Sequence, residues 1–359
     1  MAEATTLRKK HEDQGYILQK ESALSKAIVA ELRQRRGHTA FQWVKGHQGH
    51  DLNELADELA GKAAEKSRGN RVSTKVPDRL VVTGARLDAM TQALAYKAIR
   101  QRRDAATDPR PRTVKTVKYV LSDLKTDFGA DLHERTLWTS LRKKDLITKE
   151  ARQWMWMVLH DAYWIGNKWL EASMPADLQD RAFCTHCNSL EDMTHILFAC
   201  EEPGREIVWD LLTEHWQNAG GPLIAPTWGS VLGAACVPIV DDEGARKTTL
   251  ERRWTILATE SAHLIWKLRC ERVIGRENEP FSEIEVRNRW YATLDRRLDL
   301  ERRYAALTEG RKRAKRLHAV EAIWAPLIQD DEDLPPNWVE KCGVLVGICR
   351  TPYDRLGQG

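Results

Sequence analysis

Four potential metal ligands packed into one short stretch, Cys184-x2-Cys187-x7-His195-x4-Cys200, constrain this chain more than any other feature. Three thiolates and an imidazole form a donor set suited to tetrahedral Zn²⁺. The Cys184–Cys187 spacing forms a knuckle, and His195 and Cys200 fall on or at the end of a following short helix. A five-residue step turns about 500° on an ideal helix, so Cys200 is expected where that helix frays. Two readings compete: a zinc knuckle over residues 184–200, or three buried structural thiols beside a surface histidine. His186 is a competing ligand, whereas Cys236, Cys270, Cys342 and Cys349 share no ligand spacing. Seven cysteines in 359 residues are odd in number and sparse. A disulfide framework is therefore not expected, and a reducing compartment, cytoplasmic or nuclear, is the default.

The sequence around this cluster reads as mainly α. Apolar residues recur at helical spacing over Leu87–Arg103, Leu146–Leu170, Thr249–Ile274 and Ser282–Ile323, the last with a break near Gly310. The 14 tryptophans, spread through these helices, are read as core anchors rather than base-stacking platforms. Asp330–Asp333 followed by Pro335 and Pro336 reads as a linker, and Val344–Cys349 as a short strand. Charged residues make up 30% of the chain and mean hydropathy is −0.53. No apolar run approaches the ~20 residues of a spanning helix, which excludes a membrane protein. The N-terminus also lacks the apolar block of a secretory signal.

Net charge is only +4, but it is unevenly placed. Arg100–Lys118 carries seven Lys/Arg against Asp104 and Asp108, and Arg296–His318 carries nine against Asp299, Glu301 and Glu309. Such segments suit phosphate contacts, or equally a solvated helix face balanced by neighbouring acids. No phosphate-binding glycine loop, serine nucleophile elbow or HExxH helix is present.

The first segment reads helix–strand–helix. Leu24, Ile28, Val29 and Leu32 mark a helix over Ser22–Arg35 that Gly37 stops, and Thr39–Val44 is a β-type run. Lys45–His50 forms a loop, after which Asp51 is a plausible N-cap with Glu54 completing a capping box. That second helix runs to about Lys66 and presents Asn53 and Asp57 at i, i+4, facing His47 on the loop. Such a pair could hold a hard divalent metal and move a proton, or could be no more than cap and surface groups.

Trp43-Val-Lys-Gly-His47, Gly49 and Asn53-Glu-x-x-Asp57 together resemble the C-terminal motif of type 1 ribonuclease H. His11–Ile17 and a helix ending Leu32-Arg-Gln-Arg35 extend the resemblance over about residues 7–66. It implies Mg²⁺-dependent cleavage of the RNA strand of RNA–DNA hybrids, with two metals held by four carboxylates. Asp57 matches the last metal carboxylate and His47 the mobile histidine, while Asn53 and Glu54 match the helix start. In the family the other three carboxylates and four strands precede this region, so the Mg²⁺ site is expected to be incomplete. The cluster with Glu191-Asp-Met-x-His195-Ile-Leu-Phe-x-Cys200 is similar to a motif of fungal non-LTR retroelement polyproteins, downstream of reverse transcriptase.

The expected architecture is a truncated ribonuclease H-like α/β remnant followed by a helical domain with a zinc knuckle. The divisions are 1–67 (the remnant), 68–118 (basic linker and helix), 119–328 (helical domain) and 329–359 (acidic, proline-containing tail). The expected function is a ribonuclease H-like protein, catalytically impaired; the alternatives are a non-enzymatic zinc-stabilised nucleic-acid-binding module or a decayed helical protein. Candidate catalytic residues are His47 and Asp57, and candidate metal ligands are Asp57, Cys184, Cys187, His195 and Cys200. Candidate nucleic-acid contacts are Lys45, Asn53, Arg311, Lys312 and Arg313. The expected partner is nucleic acid, either an RNA–DNA hybrid or single strands, with a partner subunit or an upstream polyprotein region supplying missing carboxylates.

Overall fold

A computed structural model describes residues 5–46, 49–66, 69, 72–328, 334–341 and 346–350. The chain divides into two compact units, Met1–Asp108 and Pro109–Gly359.

The smaller unit contains α1 (Arg8–Asp13), α2 (Ser22–Gln34), α3 (Asp51–Ala64) and α4 (Gln92–Ala106). Val29 and Ala30 of α2 are buried, and Tyr16 is buried nearby in sequence, but α3 and α4 bury no residue. Gly15 sits at φ +61, and a Cβ there would lie 2.9 Å from the Gly84 backbone. Close approach of two chain segments therefore fixes this glycine. The helix–strand–helix expectation is overturned. Thr39–Val44 is irregular, with Trp43 70% and Phe41 46% exposed, and no strand occurs among the described residues. A β-type run pairs only where another strand offers donors and acceptors, and none does here. The cap differs as well. His50 is the N-cap, Asp51 is already helical, and the Glu54 carboxylate reaches back to accept from Gly49 N at 3.0 Å.

The larger unit holds α5 (Pro111–Phe128), α6 (Glu134–Ser140), α7 (Lys149–Leu159), α8 (Pro203–Asn218), α9 (Trp228–Leu232), α10 (Thr248–Gly275), α11 (Glu283–Ala306) and α12 (Arg313–Trp324). Among the described residues β structure is confined to isolated bridges, including Phe183↔Leu190 and Ile328↔Ile348. Residues 344 and 345 of the expected C-terminal strand, and the acidic residues 330–333, lie outside the described residues.

α10 is the central element, packed by α7, α8, α9, α11 and α12. Every residue from Arg253 to Ala262 is buried, so the helix is enclosed on all sides rather than along one stripe. Several of its buried polar residues find partners within the helix or on a neighbouring one. Thr255 Oγ1 donates to Glu251 O at 2.7 Å, and Ser261 Oγ accepts from Trp290 Nε1 at 2.9 Å. α9 lies close on α5: a Cβ on Gly229 would sit 2.6 Å from Asp123 Cβ. The helix expected over 146–170 ends at Leu159, because the chain turns through Asp161 at φ +44. Lys168 Nζ then binds the Asp161 and Tyr163 carbonyls at 2.6 and 2.5 Å.

One consequence for stability arises on α10. His263 stacks on Trp154 at 5.7 Å, and burial, reinforced by Lys267, pulls its pKa down to about 4, against a raising influence of Glu150. The unfolded chain binds this proton near pH 6.5, so folding is favoured while the ring is neutral in both states. That contribution is full above about pH 6.5 and is lost as pH falls towards 4, amounting to up to about 3 kcal/mol. Denaturant titrations at pH 7 and pH 4.5 should show a smaller acid-induced loss in His263→Gln than in the parent. Equal losses would assign the acid sensitivity to other groups.

Candidate metal centre

Each ligand in the 184–200 region is placed by local hydrogen bonding. Cys184 N donates to Ser189 O and Asn188 N to Cys184 O, both at 2.8 Å, and Asn188 turns the knuckle at φ +53. Phe183 and Leu190 close its base as an antiparallel bridge. Asp192 Oδ1 then accepts from His195 N at 2.8 Å and starts the second half-site. From His195 to Ala199 the chain makes a wide helical turn, with Cys200 N donating to His195 O at 2.7 Å. An i→i+5 turn brings residues five apart to the same side, which an ideal α-helix would not do. Cys200 is thus delivered by this widened turn rather than by fraying.

The resulting geometry is that of a four-ligand site. The ligand atoms of Cys184, Cys187, His195 and Cys200 all lie within 4.8 Å of one another. Cys184 Sγ is 3.8 Å from Cys200 Sγ, Cys187 Sγ is 4.0 Å from Cys200 Sγ, and Cys187 Sγ is 3.3 Å from His195 Nε2. A tetrahedron with zinc–ligand bonds of ordinary length has S···S edges of about 3.8 Å and S···N edges of about 3.6 Å. The donor set and spacing therefore fit zinc. His186 is exposed and outside the group.

Electrostatics point the same way. Burial opposes charge on Cys184, but the Cys187 and His186 backbone amides and the His195 side chain outweigh it, lowering the pKa to about 6. Burial pushes Cys200 up to about 12, with the neighbouring sulfurs adding to the rise. Three contiguous sulfurs cannot all ionise unaided; a divalent cation removes that conflict.

The centre is tied to the helical core by residues that spacing alone does not single out. Glu191 pairs with Arg269 and lies 3.7 Å from Arg272, and both its carboxylate and Arg272 are buried. Arg272 also donates to Thr185 Oγ1 at 3.1 Å. Trp209 Nε1 donates to Leu197 O at 2.7 Å. An acidic pair just before a helical turn is the sequence signal for Asp192 as a cap; nothing local announces that Glu191 would meet α10. A cavity of about 20 Å³ beside Cys200 has room for roughly one water.

The N-terminal candidates are not assembled in this way. Asp57 and Lys45 are exposed, Asn53 is half-buried, and His47 lies outside the described residues. Among the described residues the Cys/His cluster is the one group of three or more potential metal ligands, and Asp57 belongs to none. A single exposed carboxylate does not fit a Mg²⁺ pair, which needs several oxygens. Arg311 and Lys312 are exposed on a short turn, whereas Arg313 is engaged: it donates to Ala306 O at 3.1 Å and to Glu340 at 3.2 Å.

Comparison with known proteins finds a likeness near the N-terminus. The ribonuclease H family model matches residues 1–65. Ribonuclease H from Phenylobacterium zucineum (strain HLK1) is 47% identical over 38 residues, which are 11% of this chain and 25% of that protein. The chain thus spans about a quarter of that relative's length. No solved structure matches. These findings correct the expectation of a C-terminal ribonuclease H fragment from a retroelement polyprotein. They support a short ribonuclease H-like region near the N-terminus, and neither match carries a retroelement context. No helix among the described residues is long and apolar enough to cross a membrane.

Proposed function

We propose that this chain is a non-catalytic nucleic-acid-binding protein whose larger unit is held together by a structural zinc ion. The observation that carries this reading is the closed Cys184–Cys187–His195–Cys200 set: three of its four residues are buried and all four positions of a tetrahedron are filled by protein. Catalytic zinc keeps a position open for water or substrate, and structural zinc does not. When bound, zinc would supply folding energy rather than a reactive water. Nucleic acid as the partner is supported by cations with no ion pair among the described residues, such as Arg102, Arg103, Arg311, Lys312 and Lys315. The ribonuclease H-like segment enters as a likeness of sequence.

Zinc content by elemental analysis and binding of labelled oligonucleotides across a salt series test the two halves of this reading. Metal at one equivalent, and affinity that falls steeply with salt, are expected. Neutralising Arg311, Lys312 and Lys315 together should flatten the slope, by about 0.7–0.9 for each phosphate that is no longer neutralised. Arg313 is left out because its bonds to Ala306 and Glu340 are structural. Absence of zinc would reject the metal half, and salt-insensitive or absent binding would reject the other.

Hybrid cleavage is the second reading, favoured by the residue 1–65 match. With Asp57 exposed and in no cluster of potential metal ligands among the described residues, RNA–DNA hybrids in Mg²⁺ or Mn²⁺ should be cut no faster by the parent than by Asp57→Asn. Asp57-dependent cleavage would instead mean that carboxylates from a partner subunit, or other acidic residues of this chain, complete the site.

A further inference from the structure

The buried stripe of α7 runs through Ala151, Trp154, Met155, Val158 and Leu159. Trp156 lies off that stripe and is 50% exposed, contrary to the expectation that the tryptophans are core anchors. It is nevertheless held in place. Its ring packs 4.2 Å from the His160 ring, and His160 in turn stacks on Trp138 at 5.1 Å and an interplanar angle of 23°. Trp138 is fixed by its own Nε1, which donates to Glu134 at 2.7 Å. His160 Nδ1 lies 3.0 Å from Thr113 Oγ1, which anchors these rings to the first turn of α5.

That turn is cationic. Arg110 immediately precedes α5 and is close enough to His160 to act on its charge; Lys115 follows one turn later and lies 5.9 Å from the centroid of half-exposed Tyr119. Neither Arg110 nor Lys115 has an ion pair among the described residues, whereas Arg112 is paired with Glu171 at 2.9 Å. Burial, and then Arg110, hold His160 below its ordinary pKa, so at neutral pH the ring offers a π face rather than a charge.

We propose that this face binds single-stranded nucleic acid, with a base stacking on Trp156 and a phosphate meeting Arg110. The proposal rests on the nucleic-acid reading above and names its surface and substrate class. A half-exposed aromatic ring held in place beside an unpaired cation matches the two needs of an unpaired strand, whose bases have free π faces and whose backbone is anionic. A duplex hides those faces and could use only the cations. An apolar protein segment would leave the cations unanswered.

The test uses the full chain with its zinc and a fluorescein-labelled oligothymidylate of about 12 nucleotides, within the ~4–16 nucleotides such sites cover. A duplex of equal length is measured alongside. Trp156→Ala should weaken single-strand binding by roughly 5- to 150-fold, the range for removing one base-stacking ring. Duplex binding and zinc content should stay unchanged, and Trp156→Phe should recover most of the affinity. If single-strand binding survives Trp156→Ala and disappears only on neutralising Arg311, Lys312 and Lys315, this surface is wrong and the nucleic-acid reading stands. If neither oligonucleotide binds at low salt, both fall, and the exposed rings belong to a protein partner.

Discussion

Removing zinc from the purified protein with a chelator, or replacing Cys200 with Ser, should lower the thermal midpoint of the larger unit by about 10–15 °C. The size of the effect follows from what the metal resolves. Without a cation, burial keeps Cys200 protonated, with its pKa at about 12, beside a Cys184 thiolate whose pKa is about 6. The two halves of the knuckle are then joined only by weak sulfur contacts, such as Cys187 Sγ to His195 Nε2 at 3.3 Å and Cys184 Sγ to Cys200 Sγ at 3.8 Å. With zinc, both halves share one ion, and binding energy becomes folding energy for the 184–200 region. The loss spreads because the knuckle is keyed into the core: Glu191 meets Arg269 and Arg272 of α10, and Leu197 O accepts from Trp209 of α8. Because thiols must release protons to bind, zinc affinity should fall as pH drops, and metal loading should liberate protons in unbuffered solution. Cys349→Ser, outside the ligand group, is the control and should leave both midpoint and zinc content unchanged. Equal midpoints with and without chelator would return the three thiols to the role of ordinary core residues.

How far the sequence foretells this centre depends on which step is asked about. The donor set and the 184–187 knuckle are visible as spacing, since both rest on residues close in sequence. The turn that delivers Cys200 is not, because an i→i+5 bond is a choice of backbone that apolar periodicity does not encode. The same division holds for the fold. α10 shows itself as Leu250, Trp254, Leu257, Leu264, Ile265 and Leu268, but the pattern does not reveal that Thr255, Thr259 and Glu260 would be buried too. Thr39–Val44 misleads for the opposite reason: β propensity describes fit to a neighbouring strand, and the described chain provides none.

Charge density misleads in another way. The run Arg296–His318 reads as a solvated or phosphate-binding face, yet Arg297 and Arg302 are buried. Arg297 donates to Asp145 O and Leu146 O at 3.1 Å, and Arg302 to Trp338 O at 2.6 Å. Guanidinium groups satisfy carbonyls that no helix can satisfy for itself, so counting cations overstates the surface charge.

The strongest case of this use is Arg253, and its removal should be the most damaging single change away from the metal. The side chain is 3% exposed and meets no carboxylate in its hydrogen bonds. Nε donates to Ile323 O at 2.7 Å, Nη1 to Ala219 O at 2.7 Å and Nη2 to Ala322 O at 2.8 Å. Ala219 caps the C-terminus of α8, and Ala322 and Ile323 lie in the last turn of α12. Carbonyls at helix C-termini lack intrahelical donors and carry partial negative charge. One planar cation therefore joins two helix ends to α10, and those ends in turn make its burial tolerable. Arg253→Met keeps the bulk but strands three buried acceptors, so a loss of about 3–5 kcal/mol is expected in denaturant unfolding. Arg253→Lys, which cannot reproduce the fork, should fall between the two. Zinc content of the folded fraction should not change, which separates this junction from the metal centre. A loss below about 1 kcal/mol for Arg253→Met would mean that the carbonyls find water or rearranged backbone partners, and that α8 and α12 are held to α10 by apolar packing alone.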